Sequence, residues 1–189
     1  FARVDPEGRW GLVTDTGYAL LERVLQQPGV VLPPDFIVVT EDGGIAPLPE
    51  HSTLGRDFSF DAMRLYFRVA LDCALYPRPQ ACDGPLRADE LFSMLQRDGA
   101  IYTRYATSGR PLSADESLSF YGGILPLLAQ QAPAYASHLR AGKLALPDLQ
   151  KISDHPDRYY DLNWVWFGIA ADEGLLVQSD RLQCVEVPS

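Results

Sequence analysis

The chain has few of the residues that metal or nucleotide chemistry requires. Its three cysteines, Cys73, Cys82 and Cys184, are widely spaced, and no Cys-x-x-Cys pair occurs. Its three histidines, His51, His138 and His155, have no His-Glu-x-x-His context. Zinc sites are built from such clusters, so neither a metal nor any other cofactor is expected. Gly-x-Gly-x-x-Gly, Gly-x-x-x-x-Gly-Lys-Ser/Thr and Gly-x-Ser-x-Gly are also missing. Their absence argues against dinucleotide folds, P-loop enzymes and nucleophile-elbow hydrolases. Positive charge is short as well: 16 Lys and Arg face 25 Asp and Glu, a formal net charge of −9. A nucleic-acid backbone would be repelled, whereas a neutral ligand such as a sugar would not. No apolar run approaches the ~20 residues of a membrane span. The first residues, Phe1-Ala-Arg-Val-Asp-Pro-Glu-Gly8, show no signal-peptide pattern. The chain also lacks an initial Met, so a removed leader or an upstream region stays open.

What remains is an ordinary globular composition, 47% hydrophobic and 22% charged over 189 residues, enough for one domain with a core. Aromatic residues make up 11%, which suits a sugar-stacking surface, although core packing accounts for most of them. Six segments read as helices. The first is Trp10–Gln27, with Leu20, Leu21, Val24 and Leu25 at helical spacing and Gly29 as a stop. Residues 30–55, rich in Pro and Gly, read as a long loop around a short β-like run, Phe36–Val39. A second helix spans Phe58–Leu75 and ends at Tyr76-Pro-Arg-Pro79. A third covers Ala88–Asp98, with a continuation through Tyr105 left open. Ser113-Ala-Asp-Glu116 has the pattern of a capping box opening a fourth helix. Within it, Tyr121-Gly-Gly-Ile-Leu-Pro-Leu-Leu128 predicts close packing or a kink. A fifth helix covers Pro133–Arg140 and a sixth Asp157–Gly174. Pro147–Ile152 suggests a turn and Leu175–Val187 a hairpin. Cys73 and Cys82 flank the Pro-rich break and read equally as a bridge or as buried free thiols. The whole predicts an all-α assembly of helical hairpins.

The second helix carries the chemistry. Asp61, Arg64, Arg68 and Asp72 are spaced three or four apart and fall on one stripe. Most other positions are apolar, so the stripe is expected to face a cleft or a buried network, where charges must be paired. Asp61 sits in the first turn, where the helix dipole favours a carboxylate, and Arg64 can keep it ionised. An ionised, positioned Asp beside a cleft suits a general base. A structural ion pair is the competing reading.

Ser59-Phe-Asp-Ala-Met-Arg64 resembles the Ser-Tyr-Asp-Ala-x-Arg segment of glycoside hydrolase family 8, whose members are inverting endo-β-1,4-glucanases, with chitosanases and xylanases among them. Arg64–Asp72 is similar to an Arg-x-Pro-Trp-Arg-x-Ala-x-Asp continuation, and Leu32-Pro-Pro-Asp-Phe36 to an Ala-Pro-Asp-Trp segment that precedes the motif. Ser119–Leu128 and Tyr159–Gly168 resemble later family helices, in order. The resemblance implies an (α/α)6 barrel of twelve helices, of which residues 1–189 would be the second half, beginning near the seventh helix. It implies Asp61 as general base and Arg64 as its orienting partner. It places Phe60, Arg68, Tyr159 and Tyr160 among substrate-binding residues, with a β-1,4-glucan or related polysaccharide as ligand and no cofactor. Members usually work outside the cytoplasm, so a secreted or periplasmic location follows.

Two departures stand out. Phe60 occupies the usual Tyr position, and no Ser-Glu-Gly-Gln-like segment supplies the family's acid. An inverting glycosidase needs two carboxyl groups about 6.5–9.5 Å apart. The acid is therefore expected on a missing N-terminal half, and residues 1–189 alone are expected to be inactive. The alternatives are a non-catalytic helical module that binds glycan or protein, and an unrelated helical toroid in which the Asp–Arg stripe is only an ion pair.

Overall fold

The computed structural model describes residues 5–145, 149–150 and 155–176. Their regular secondary structure is almost entirely helical. Helix α1 covers Trp10–Leu25, α2 Phe60–Leu75, α3 Pro79–Cys82, α4 Ala88–Asp98, α5 Leu118–Gln131, α6 Pro133–Lys143 and α7 Tyr159–Asp172. A 3-10 turn, Pro156–Arg158, leads into α7. The long loop after α1 holds two short antiparallel strands, β1 (Val38–Val39) and β2 (Ile45–Ala46), with Val38 opposite Ala46.

Helix α5 is the centre of the molecule. Every residue from Ser119 to Leu128 is buried. It packs most extensively against α7, then α2 and α6. Its glycines make this possible: a Cβ on Gly122 would overlap the carbonyl of Trp164, and one on Gly168 would overlap the carbonyl of Gly122. Pro126, inside the helix, has no N–H to offer the carbonyl four residues back, which is that of Gly122. That oxygen faces the bare Cα of Gly168 instead. Aromatic rings fill the adjoining core, with Phe58 edge-on to both Tyr66 and Phe120 at 6.0 and 5.9 Å.

Two expectations need correction. Helix α4 does not continue to Tyr105. Gly99, at φ 73°, closes it in the left-handed conformation that glycine adopts freely. The chain then runs extended, and Phe58 and Tyr105 exchange backbone hydrogen bonds of 2.9 and 3.0 Å. Ser113–Glu116 is likewise not a capping box. Ser113 Oγ accepts from the Asp115 N–H at 2.9 Å, a local turn, and Tyr102 bridges Glu116. The Glu116 carboxylate takes the Tyr121 hydroxyl and Lys143 as partners. The helix starts later, at Leu118, with Ser117 as its cap.

Cys73 and Cys82 form a disulfide that ties the end of α2 to α3. The predicted Pro147–Ile152 turn and Leu175–Val187 hairpin fall largely outside the described residues.

Candidate active site

The first turns of α2, α5 and α7 meet at one end of the molecule. Phe60 of α2 lies 5.1 Å from Phe120 of α5 and 5.8 Å from Tyr160 of α7, edge-on to both. The Ser119 N–H of α5 donates to Asp161 Oδ1 of α7 at 3.1 Å. Helix dipoles therefore converge here with their positive ends, a setting that favours carboxylates.

Asp61 projects from this end. Its Oδ1 lies 3.0 Å from Arg64 Nη1, one turn along α2. Arg64 Nη2 reaches the Tyr160 hydroxyl at a long 3.5 Å. That contact, with the charges of Asp61 and Asp35, holds the guanidinium above its ordinary pKa, so it stays charged. The Asp61 side chain is 44% exposed and that of Arg64 35%. A pair so open to water stabilises a fold by only about 0.3–0.5 kcal/mol. An accessible, oriented carboxylate of this kind is able to take a proton from water.

The structure brings together Phe60, Asp61, Arg64 and Tyr160 of the residues singled out above. The others stand apart. Tyr159 is 71% exposed, and Tyr160 is the one that joins the cluster. The predicted charged stripe splits in two. Arg68 is exposed and makes no ion pair among the described residues. Asp72 turns to other partners, accepting from the Tyr18 hydroxyl at 2.7 Å and lying 3.7 Å from Arg78 Nε. Tyr18 is pushed above its usual pKa by burial and by this carboxylate. The stripe therefore does not face one buried network. It splits because its members find different partners: Tyr18 of α1 reaches Asp72 at the C-terminal end of α2, and Tyr160 of α7 reaches Arg64 near the N-terminal end.

Two acidic residues escaped the sequence reading. Asp161 is 13% exposed and serves as a clamp between helices. It accepts from the Ser117 hydroxyl and the Ser119 N–H, and it pairs with Arg158 at 2.8 Å. Asp35, in the long loop, accepts from the Ser59 and Ala62 N–H groups at 2.9 and 2.8 Å. Burial raises its pKa, and the Asp61 charge adds to this against the opposing backbone hydrogen bonds. Separations of 42 and 44 residues hide the first clamp, and 24 and 27 hide the second. Both residues lie within segments that carry the resemblance, Asp35 in Leu32–Phe36 and Asp161 in Tyr159–Gly168, but neither segment shows the partner. Among the described residues no cluster of three or more His, Cys, Asp or Glu side chains is arranged to hold a metal ion. No described helix is long and apolar enough to cross a membrane.

No protein-family model matches the chain. No curated protein sequence matches it either. In three dimensions it is similar to the crystal structure of a glycoside hydrolase family 8 xylobiose complex from Teredinibacter turnerae. The TM-score is 0.54 and the identity 18%, over 86% of this chain and 38% of that one. An identity that low speaks to fold and leaves residue roles to be argued from chemistry. The chain is thus all-α, with a fold similar to part of a family 8 (α/α)6 barrel.

Proposed function

We propose that residues 1–189 form the C-terminal half of the catalytic domain of an inverting glycoside hydrolase acting on β-1,4-linked glucan. Asp61 is the general base that activates water, and Arg64 orients it. The general acid is a Glu on the missing N-terminal half, which completes the helical ring and the two-carboxylate arrangement that inversion needs. The observation that carries this reading is the Asp61–Arg64 pair, half open to water, where three helix starts meet in a family 8-like fold. Phe60 and Tyr160 form an aromatic surface beside it on which a sugar ring can stack. Arg68 and Tyr159 lie apart from this cluster but are exposed, and they are the candidates for contacts with further sugar units. The Cys73–Cys82 disulfide supports a secreted or periplasmic location, since such bonds persist in oxidising compartments.

The test is reducing-sugar release from carboxymethyl-cellulose, with xylan and chitosan alongside. The chain joined to an upstream half should be compared with its Asp61→Asn variant and with residues 1–189 alone. Loss of a general base should lower the rate by about 10²–10⁴-fold. Residues 1–189 alone should release no sugar. An Asp61→Asn protein that keeps its rate would sink the proposal.

A second reading is a non-catalytic module that binds glycan or protein. Phe60 favours it, because no hydroxyl stands at the position where the resembling family carries Tyr. Glycan binding by a protein that never hydrolyses, with or without an upstream half, would establish it.

A further inference from the structure

Helix α2 is not capped by its own flanking residue. The Ser59 hydroxyl donates to the Thr103 carbonyl at 2.8 Å and leaves the first turn of the helix uncapped. A carboxylate from the preceding loop takes the role. Asp35 Oδ1 accepts from the Ser59 and Ala62 N–H groups, and the Asp61 N–H points to the same carboxylate. The Asp35 N–H in turn donates to the Asp57 carbonyl at 2.8 Å, so loop and helix start hold each other. The loop is itself fixed: Leu32 is fully buried, and the Val31 and Leu32 N–H groups both donate to the Thr107 carbonyl, at 2.8 and 2.9 Å. Pro33 and Pro34 stiffen the link between that anchor and Asp35. A Cβ on Gly55 would come within 3.2 Å of Asp35 Oδ2, so the glycine leaves this carboxylate its place.

We propose that Asp35 is a positioning residue for the Asp61–Arg64 pair: by closing the first turn of α2 from outside the helix, it fixes where the Asp61 carboxylate stands. The significance for catalysis rests on the reading of Asp61 as a base. The placement itself does not. Two charged side chains of α2 act on Asp35: Asp61 repels its charge, and Arg64 attracts it. Removing Asp35 therefore loosens the turn and changes the load on Arg64 together.

The experiment is NMR on the 189-residue chain, comparing wild type with Asp35→Ala, Asp35→Asn and Asp61→Asn. Loss of a helix cap should speed hydrogen exchange at the Ser59, Asp61 and Ala62 amides about fivefold or more in Asp35→Ala. The buried α5 amides, such as Ile124, should be unchanged and report an intact fold. The Arg64 Nε–H signal should move in Asp35→Ala toward its position in Asp61→Asn. Asp35→Asn keeps an acceptor oxygen but not the charge, so it should restore the exchange rates in full and the Arg64 signal only in part. Unchanged exchange at the three amides would overturn the inference. Faster exchange with an unmoved Arg64 signal would also overturn it, leaving a cap and nothing more. Should Asp35→Ala fail to fold, Asp35→Glu displaces the carboxylate by one methylene and must still shift the Arg64 signal. Sugar release by Asp61→Asn, measured separately, decides the hydrolase reading, so the two ideas fail independently.

Discussion

Asp35 and Asp61 are two carboxylates at one helix start, and their surroundings treat them differently. Asp61 is open to water with a guanidinium beside it. Asp35 is half-buried, and burial raises its pKa more than the Ala62 and Ser59 N–H groups lower it. A carboxyl raised in the folded state binds its proton more tightly when folded. Its contribution to stability is present at low pH and is lost as pH rises from the unfolded value, about 3.9, through the raised folded value. Asp35→Asn keeps an acceptor and removes the charge. The variant should therefore gain on wild type as pH rises across that window, as urea unfolding at a series of pH values would show. A difference that stays flat with pH would contradict the burial argument. The Asp61–Arg64 contact was legible in the sequence because helix geometry alone places residues three apart side by side. The Asp35 clamp was not, because a loop brings its partners together across 24 and 27 residues.

At the scale of elements, the crossing of α5 on α7 decides the packing. Gly122 and Gly168 face each other with no room for a side chain. Gly168→Ala should cost about 1–3 kcal/mol or more through overpacking. Gly142→Ala is the control: it lies on the exposed face of α6, with open space where a Cβ would stand. It should be neutral or stabilise by up to about 1 kcal/mol. Urea unfolding of both variants checks the pair, and equal effects would contradict the close crossing. The sequence signalled close packing at Gly122-Gly123 and Pro126, and the structure supplies the partners: α7 against Gly122 and Met63 of α2 against Gly123. It also suggested a cap at Ser113–Glu116, where the pattern misleads. Ser-x-x-Glu describes local hydrogen bonds only. Tyr121 and Lys143 compete for Glu116 from elsewhere in the fold, and the extended segment at Tyr102 removes the backbone from helical geometry.

For the whole molecule, the surface that matters is aromatic. Trp166, 59% exposed, and Phe167 continue a run of ring contacts through Trp164 to Phe67 and Tyr160. Leu12 and Val13 of α1 are also exposed. Apolar faces of this kind usually meet a partner, and the proposed N-terminal half is the one that fits a ring of helices. Residues 1–189 alone should then bind a hydrophobic dye or self-associate, and the double variant Trp166→Ser, Phe167→Ser should do so less. Light scattering that shows a monomer without dye binding would count against an uncovered face. By itself the sequence determined six of the seven helices named above, missing the short α3, together with most of their ends and the Asp61–Arg64 pair. Each depends on apolar periodicity, on Pro and Gly, or on spacing within one turn. The tertiary structure decided the rest: that Tyr160 rather than Tyr159 meets Arg64, that Asp72 leaves the stripe for Tyr18, and that Asp35 and Asp161 hold helix starts. Those partners are far apart along the chain, and only the packing of helices and loops brings them within hydrogen-bond reach.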